Sequence, residues 1–171
     1  MKITKFGHAC LEFEENGQLL ILDPGMYTQP LENRTKVQAV VITHIHDDHC
    51  YEEQLDRIVS LNPGITIFGT DEVCKRLSAS RPDFKLNAVH HGDFYEVGNF
   101  TLEVFGDMHA EIHRSSPLVD NVGVFVNETL YYPGDAYTVP AHAVLAGLGE
   151  ADAPGGAVQQ HQAQRLFEQA Q

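Results

Sequence analysis

Thr43-His44-Ile45-His46-Asp47-Asp48-His49 is the stretch on which the reading of this chain turns. It carries H-x-H-x-D-H directly after Ala39–Thr43 (AVVIT), a short apolar run of the kind expected for a strand buried on both faces. From the His and Asp frequencies of this chain, the pattern is expected roughly 0.002 times by chance. In an extended segment, side chains two apart point the same way, so His44 and His46 are expected to converge on one ion. Asp48 and His49 follow where the chain bends toward a helix, and can face a second ion. Imidazole and carboxylate are usual ligands of zinc and of several other divalent metals. A solvated His-rich loop is the bland alternative, and the fourfold pattern weighs against it.

Outward from this stretch, residues 1–140 alternate strand-like and helix-like segments. Strands are expected at Ile3–Phe6, Cys10–Phe13, Leu19–Leu22, Ala39–Thr43, Ile65–Phe68, Lys85–Val89, Phe94–Val97, Thr101–Phe105, Val122–Val126 and Thr129–Tyr132. Helices are expected at Tyr51–Leu61, stopped by Asn62-Pro63-Gly64, and at Asp71–Ala79, with Thr70 or Asp71 as N-cap. Many strands with interposed helices indicate an α/β or α+β domain. Residues 141–171 differ: Ala, Gly and Gln supply 18 of these 31 residues, and a helix over Gln159–Gln171 would have a thin apolar face.

Length and composition bound the function. The chain has 171 residues, 43% of them hydrophobic, which suits one packed domain. Lys+Arg is 11 against Asp+Glu 24, a net charge of −13, which argues against a binder of phosphate backbones. No apolar run approaches a membrane span, and Met1–Phe6 has no apolar leader, so a cytoplasmic location is expected. Three well-spaced cysteines (Cys10, Cys50, Cys74) fit reduced thiols there. Nothing in the sequence partners Cys10 or Cys50 as a nucleophile.

The stretch 43–49 resembles the signature of the metallo-β-lactamase fold superfamily of metal-dependent hydrolases. The similarity extends over residues 1–140. Phe6-Gly7-His8-Ala9-Cys10 resembles an N-terminal segment of a subgroup, and Leu22-Asp23-Pro24-Gly25 resembles the turn before the first motif. Phe105–His113 resembles the segment carrying the next metal histidine, at His109, and Tyr132-Pro133-Gly134-Asp135 resembles the strand end whose aspartate bridges two metals. The subgroup most similar is the small cytosolic hydrolases that include ascorbate-6-phosphate lactonase-like proteins. The resemblance implies an αββα sandwich and two divalent ions, zinc first, with Mn2+ and Fe2+ as alternatives. It implies His44, His46 and His109 on one metal, Asp48 and His49 on the other, Asp135 bridging, and Asp48 and Asp135 as catalytic groups. Asp23 would fix a ligand imidazole, with a plain Asx turn as the alternative reading. His8 could approach the metals or the substrate, with a hydrogen-bonded structural histidine as the alternative, and His113 would be a rim or substrate-side group rather than a ligand. His90 and His91 carry no spacing argument and are expected at the surface.

The implied reaction is hydrolysis, by a metal-bound hydroxide, of a small ester, lactone or phosphorylated substrate. Members of the superfamily continue after the "G-D" strand to a last metal histidine. Here the resemblance stops near residue 140, and neither His142 nor His161 follows a strand-like run. The second half is therefore expected to be altered or truncated, and the alternative function is a metal-binding, catalytically impaired protein of the same fold. A nuclease of the superfamily is disfavoured by acidity. A diiron redox protein is disfavoured because His46 occupies the position of a glutamate in H-x-E-x-D-H, and a secreted lactamase by the absent leader.

Overall fold

The computed structural model describes residues 1–106, 108–111, 117–138 and 140. Their strands form two sheets. The larger has six strands: β1 (Lys2–Lys5), β2 (Leu11–Glu15), β3 (Gln18–Leu22), β4 (Val37–Ile42), β5 (Thr66–Gly69) and β6 (Lys85–Ala88), in spatial order of the chain. β1, β2 and β3 are antiparallel, and β3 to β6 run parallel. The smaller is antiparallel, with β7 (Phe94–Val97), β8 (Phe100–Phe105), β9 (Gly123–Val126) and β10 (Leu130–Tyr132) in the order β10-β9-β8-β7. Every strand expected from the sequence is present, with ends shifted by a residue or two.

Alternation along the strands of the larger sheet separates two cores. Leu20, Leu22, Ala39, Val41 and Phe68 face the smaller sheet and meet Phe100, Leu102, Val104, Val124 and Val126. Ile21, Val40, Ile42 and Ile67 face the other way, onto α1 (Glu52–Leu61) and α2 (Asp71–Ser80) through Leu55, Ile58, Val73 and Leu77. β4 is the shared centre: five of its six residues are buried, which is why it reads as a nearly continuous apolar run. The two sheets pack face to face with both described helices outside the larger, which makes three of the four layers of the expected αββα sandwich among the described residues.

The helix boundaries follow from local chemistry. Thr70 caps α2, its hydroxyl accepting from the Val73 amide. Tyr51 gives α1 no side-chain cap, but Glu52 and Glu53 place negative charge in the first turn, where the helix dipole favours it. Asn62 ends α1. Its amide bonds back to Ile58 and Val59, and its side chain accepts from Val37 and donates to Arg34, tying the helix end to the start of β4.

Strands β3 and β4 both end at the place where the smaller sheet closes on the larger one. The Val122 amide donates to the Thr43 carbonyl, and His44 bridges to Asn121. Loops leaving parallel strands at their carboxyl ends are where open α/β sheets place their sites. No helix among the described residues is long and apolar enough to cross a membrane. Residues 141–171 and His113, His142 and His161 lie outside the described residues. Because Leu55 is fully buried between α1 and the sheet, Leu55→Ala is expected to lower the unfolding free energy by about 2–5 kcal/mol, read from the urea midpoint at constant slope.

Candidate metal centre

The site begins with a carboxylate that no solvent reaches. Asp23 follows β3 in a left-handed conformation (φ 47°) and is fully buried. Its Oδ1 accepts from the Thr43 amide at 2.7 Å, and its Oδ2 accepts from the Thr43 hydroxyl and from His49 Nδ1, each at 2.7 Å. The Thr43 hydroxyl hydrogen is thereby committed, so the 3.0 Å contact between Thr43 Oγ1 and His44 Nδ1 has the imidazole as donor. His109 Nδ1 lies 2.6 Å from the Ala110 carbonyl, which can only accept. The same proton position follows for all three rings: Nδ1 carries the hydrogen, and Nε2 presents its lone pair.

Those lone pairs have no protein partner. His44, His49 and His109 are all buried, and the Nε2 atom of each is without a hydrogen bond. Their rings lie together. His44, His46 and His109 form a near-equilateral triangle with centroids 4.8, 4.8 and 4.9 Å apart, and His49 stands 4.0 Å from His44. Asp135 lies between the two groups, with Oδ2 3.5 Å from His109 Nε2 and Oδ1 3.5 Å from His49 Nε2. Asp48 Oδ2 is 3.8 Å from His49 Nε2 and 2.9 Å from His8 Nε2. Potential ligand atoms come within 4.8 Å of one another in three sets: His44, His46 and His109; His8, Asp48 and His49; and His44, His49 and Asp135. Buried imidazole nitrogens with fixed tautomers, no partner and adjacent carboxylates are a donor set that fits divalent metal.

The electrostatics agree with closely packed cation-binding groups. Burial, reinforced by the nearby His49, pushes His44 down to about 3. Burial also opposes charge on His49, but the Asp23 carboxylate overcomes it, with help from Asp135 and Asp48, and raises this imidazole. Burial works against ionised Asp48, and His49 and the His8 hydrogen bond outweigh it, holding the carboxyl below its ordinary range. Cys10 and Cys50 are fully buried, and burial raises both thiols, Cys50 to about 12, so neither is a ready nucleophile.

Local constraints set the loop. Ile45 and His46 lie in a bend and Asp47–His49 in a turn, so His44 and His46 converge through a bend rather than through the alternation of an extended strand. Gly25 packs against the backbone of Asp48, where any Cβ would collide with the Asp48 carbonyl. Arg76 of α2 grips the outside of the loop, donating to the Ile45 carbonyl at 2.9 Å, to Asp47 at 2.7 Å and to both oxygens of Glu52. Asp47 is exposed but held in that pair. Asn121, fully buried, accepts from the Asp135 amide and donates to the Pro133 carbonyl, and Ala110 donates to the Asp135 carbonyl. Gly134 has φ 60°, and a Cβ there would press on Asn121 and Thr43. Thr43, Arg76 and Asn121 were not expected from the sequence. Thr43 had a signal, standing beside His44 at the strand end; Arg76 and Asn121 had none. His90 and His91 are at the surface, His90 against Asp71 and His91 accepting from the Gly106 amide.

Residues 2–154 match the family model of the beta-lactamase superfamily domain. Protein Rv0786c of Mycobacterium tuberculosis is 31% identical over 159 residues, covering 90% of this chain and 73% of that protein. A UPF0173 metal-dependent hydrolase of Carboxydothermus hydrogenoformans is 28% identical over 162 residues, covering 89% of this chain and 70% of the relative. Among solved structures, the metallo hydrolase Igni18 of Ignicoccus hospitalis superposes with a TM-score of 0.53 at 22% identity, over 77% of this chain and 59% of that one. This chain thus spans a little over half the length of that solved structure. The chain belongs to the beta-lactamase superfamily domain family, and its fold is that of the metallo-β-lactamase superfamily. Relatives of this chain in Carboxydothermus hydrogenoformans and Flavobacterium johnsoniae are named metal-dependent hydrolases. The matched region runs past residue 140, to residue 154.

Two outcomes follow from the buried network. Asp23→Ala leaves three buried donors without an acceptor, so a loss of about 1–3 kcal/mol for each is expected in urea unfolding, with zinc affinity reduced about 10–100-fold. Zinc must displace any proton on His49 Nε2, and the raised His49 binds that proton more readily as pH falls, whereas His44 stays neutral. Zinc affinity measured by calorimetry is therefore expected to fall from about pH 8 to about pH 6.

Proposed function

We propose that this protein is a metal-dependent hydrolase acting on a small ester, lactone or phosphorylated substrate, with two divalent cations. Zinc is the first choice for the metal, and manganese or iron suit the same ligands. One observation carries the reading: three buried imidazoles have Nδ1 engaged and Nε2 unpartnered, gathered around one carboxylate. Membership of the beta-lactamase superfamily domain family, with relatives named metal-dependent hydrolases, supports the reaction class.

In this reading His44, His46 and His109 hold one cation, Asp48 and His49 the other, and Asp135 stands between them. When bound, such a pair supplies a water of lowered pKa and stabilises a developing oxyanion. The chain contributes placement. Asp23 and Thr43 hold two imidazoles in the ligating tautomer. Asn121 and the Ala110 amide hold the backbone of Asp135, which keeps one oxygen beside each histidine group. Asp135 is 43% exposed, so the centre opens to solvent on its side, where a substrate can enter. The net charge of −13 supports a small-molecule substrate over nucleic acid. Three free cysteines support a reducing compartment, the cytoplasm.

The test is elemental analysis of the purified chain with assays on phosphodiester, lactone and thioester substrates. Two metals per chain and turnover above buffer are expected, with His46→Ala lowering metal content and turnover together. Metal content of one or none with turnover equal to buffer overturns the dinuclear enzyme. Two metals without turnover on any of these classes favours the alternative, a metal-binding protein of the same fold that is catalytically impaired.

A further inference from the structure

We propose that His8 is a direct ligand of the second cation, so that this site is built from His8 Nε2, Asp48 Oδ2 and His49 Nε2. The inference rests on the metal-centre reading above and adds a ligand that reading does not contain.

The geometry is that of a shared ion. Two atoms each about 2.0–2.1 Å from one zinc at tetrahedral angles stand about 3.3 Å apart. Asp48 Oδ2 accepts a hydrogen bond from His8 Nε2 at 2.9 Å, so ligation displaces that proton, and it stands 3.8 Å from His49 Nε2; the two distances lie on either side of that separation. One potential ligand atom from each of the three residues lies within 4.8 Å of the other two. His49 Nε2 is buried in a side chain only 2% exposed, makes no hydrogen bond, and is aimed into this cluster. It is an acceptor waiting for an electrophile, and the neighbouring carboxylate cannot serve as one.

His8 is also held in place by more than its contact with Asp48. Gly7 takes φ 94° and approaches the Tyr27 carbonyl so closely that a Cβ would stand 2.7 Å from it. The Phe6 amide closes the loop onto the Cys10 carbonyl, and the Gln29 amide bonds to the Phe6 carbonyl. The Ala9 carbonyl accepts from the Tyr132 hydroxyl of β10 at 3.1 Å. The Tyr27 ring meets the imidazole edge-on at 5.7 Å, and the His49 ring does so at 5.9 Å. The side chain is 50% exposed, but the loop that carries it is fastened on both sides, which fixes its backbone opposite the Asp48 carboxylate.

The experiment is zinc titration by calorimetry on the full chain after chelator treatment, with elemental analysis after dialysis, for wild type, His8→Ala, His8→Gln and His46→Ala. Glutamine can keep an N–H donor near Asp48 but is outside the usual zinc ligand set, so it separates ligation from hydrogen bonding. Wild type is expected to bind two zinc ions. Both His8 variants are expected to weaken one site by more than about 100-fold, beyond what losing an outer hydrogen-bond partner does, and to leave the other unchanged. The preserved site reports that the variant is folded, and His46→Ala is expected to weaken that site instead. Two sites in His8→Gln with affinities within about tenfold of wild type overturn the proposal, as do loss of both sites in His8→Gln or a single site in wild type. No zinc bound by wild type overturns the metal-centre reading itself.

Discussion

The buried carboxylate of Asp23 is the constraint around which the centre is organised. It sits beneath the histidines at the junction of β3 and β4, in a left-handed conformation, and accepts three hydrogen bonds of 2.7 Å. Two of the donors belong to Thr43 and one to His49, so a single side chain joins two strand ends to the turn that carries the second half of the H-x-H-x-D-H stretch. A buried carboxylate is costly unless its lone pairs are filled, and here each donor that fills one also orients a group of the site. The proton positions on His44 and His49 both trace back to it. An Asx turn alone would have met the local needs of the chain before Pro24, but it would not have required full burial or partners twenty and twenty-six residues away.

The second constraint is that the site is assembled from both sheets. β4 delivers Thr43 and His44, and the segments flanking the smaller sheet deliver His109 and Asp135. Backbone pairing of His44 with Asn121 and of Val122 with Thr43 brings the two edges together. Gly25 lies against the backbone of Asp48, and Gly134 lies against the side chains of Asn121 and Thr43, so a Cβ is excluded at both crossings. Two cores, one between the sheets and one under the helices, hold these edges in register. The centre is therefore held from below by hydrogen bonds, and His8 and Asp135 are its more exposed members among the described residues.

Much of this was legible in the sequence because its signals are local. Apolar runs bounded by turn residues located all ten strands, and Thr70 and the Asn62-Pro63-Gly64 stop bounded helices. The spacing of His44, His46, Asp48 and His49 marked the metal-binding chemistry. The alternation that separates the two cores is likewise written in β3, β4 and β5. What failed was local too: the expectation that His44 and His46 converge by strand alternation assumed an extended segment, where the chain bends at Ile45 and His46.

The sequence by itself determined the elements, the cluster of ligating residue types and the family resemblance, since each depends on residues close together in the chain. Only the tertiary structure decided which nitrogen His44 and His49 present, because that depends on Asp23, directly or through Thr43, acting on rings whose own sequence is neutral between tautomers. It alone brought His8 against Asp48 across forty residues, fastened the loop with Arg76, and set Asn121 behind Asp135. Hydrogen bonds made between distant segments leave no periodicity in a sequence, and in this protein those bonds are what turn a row of histidines into a centre.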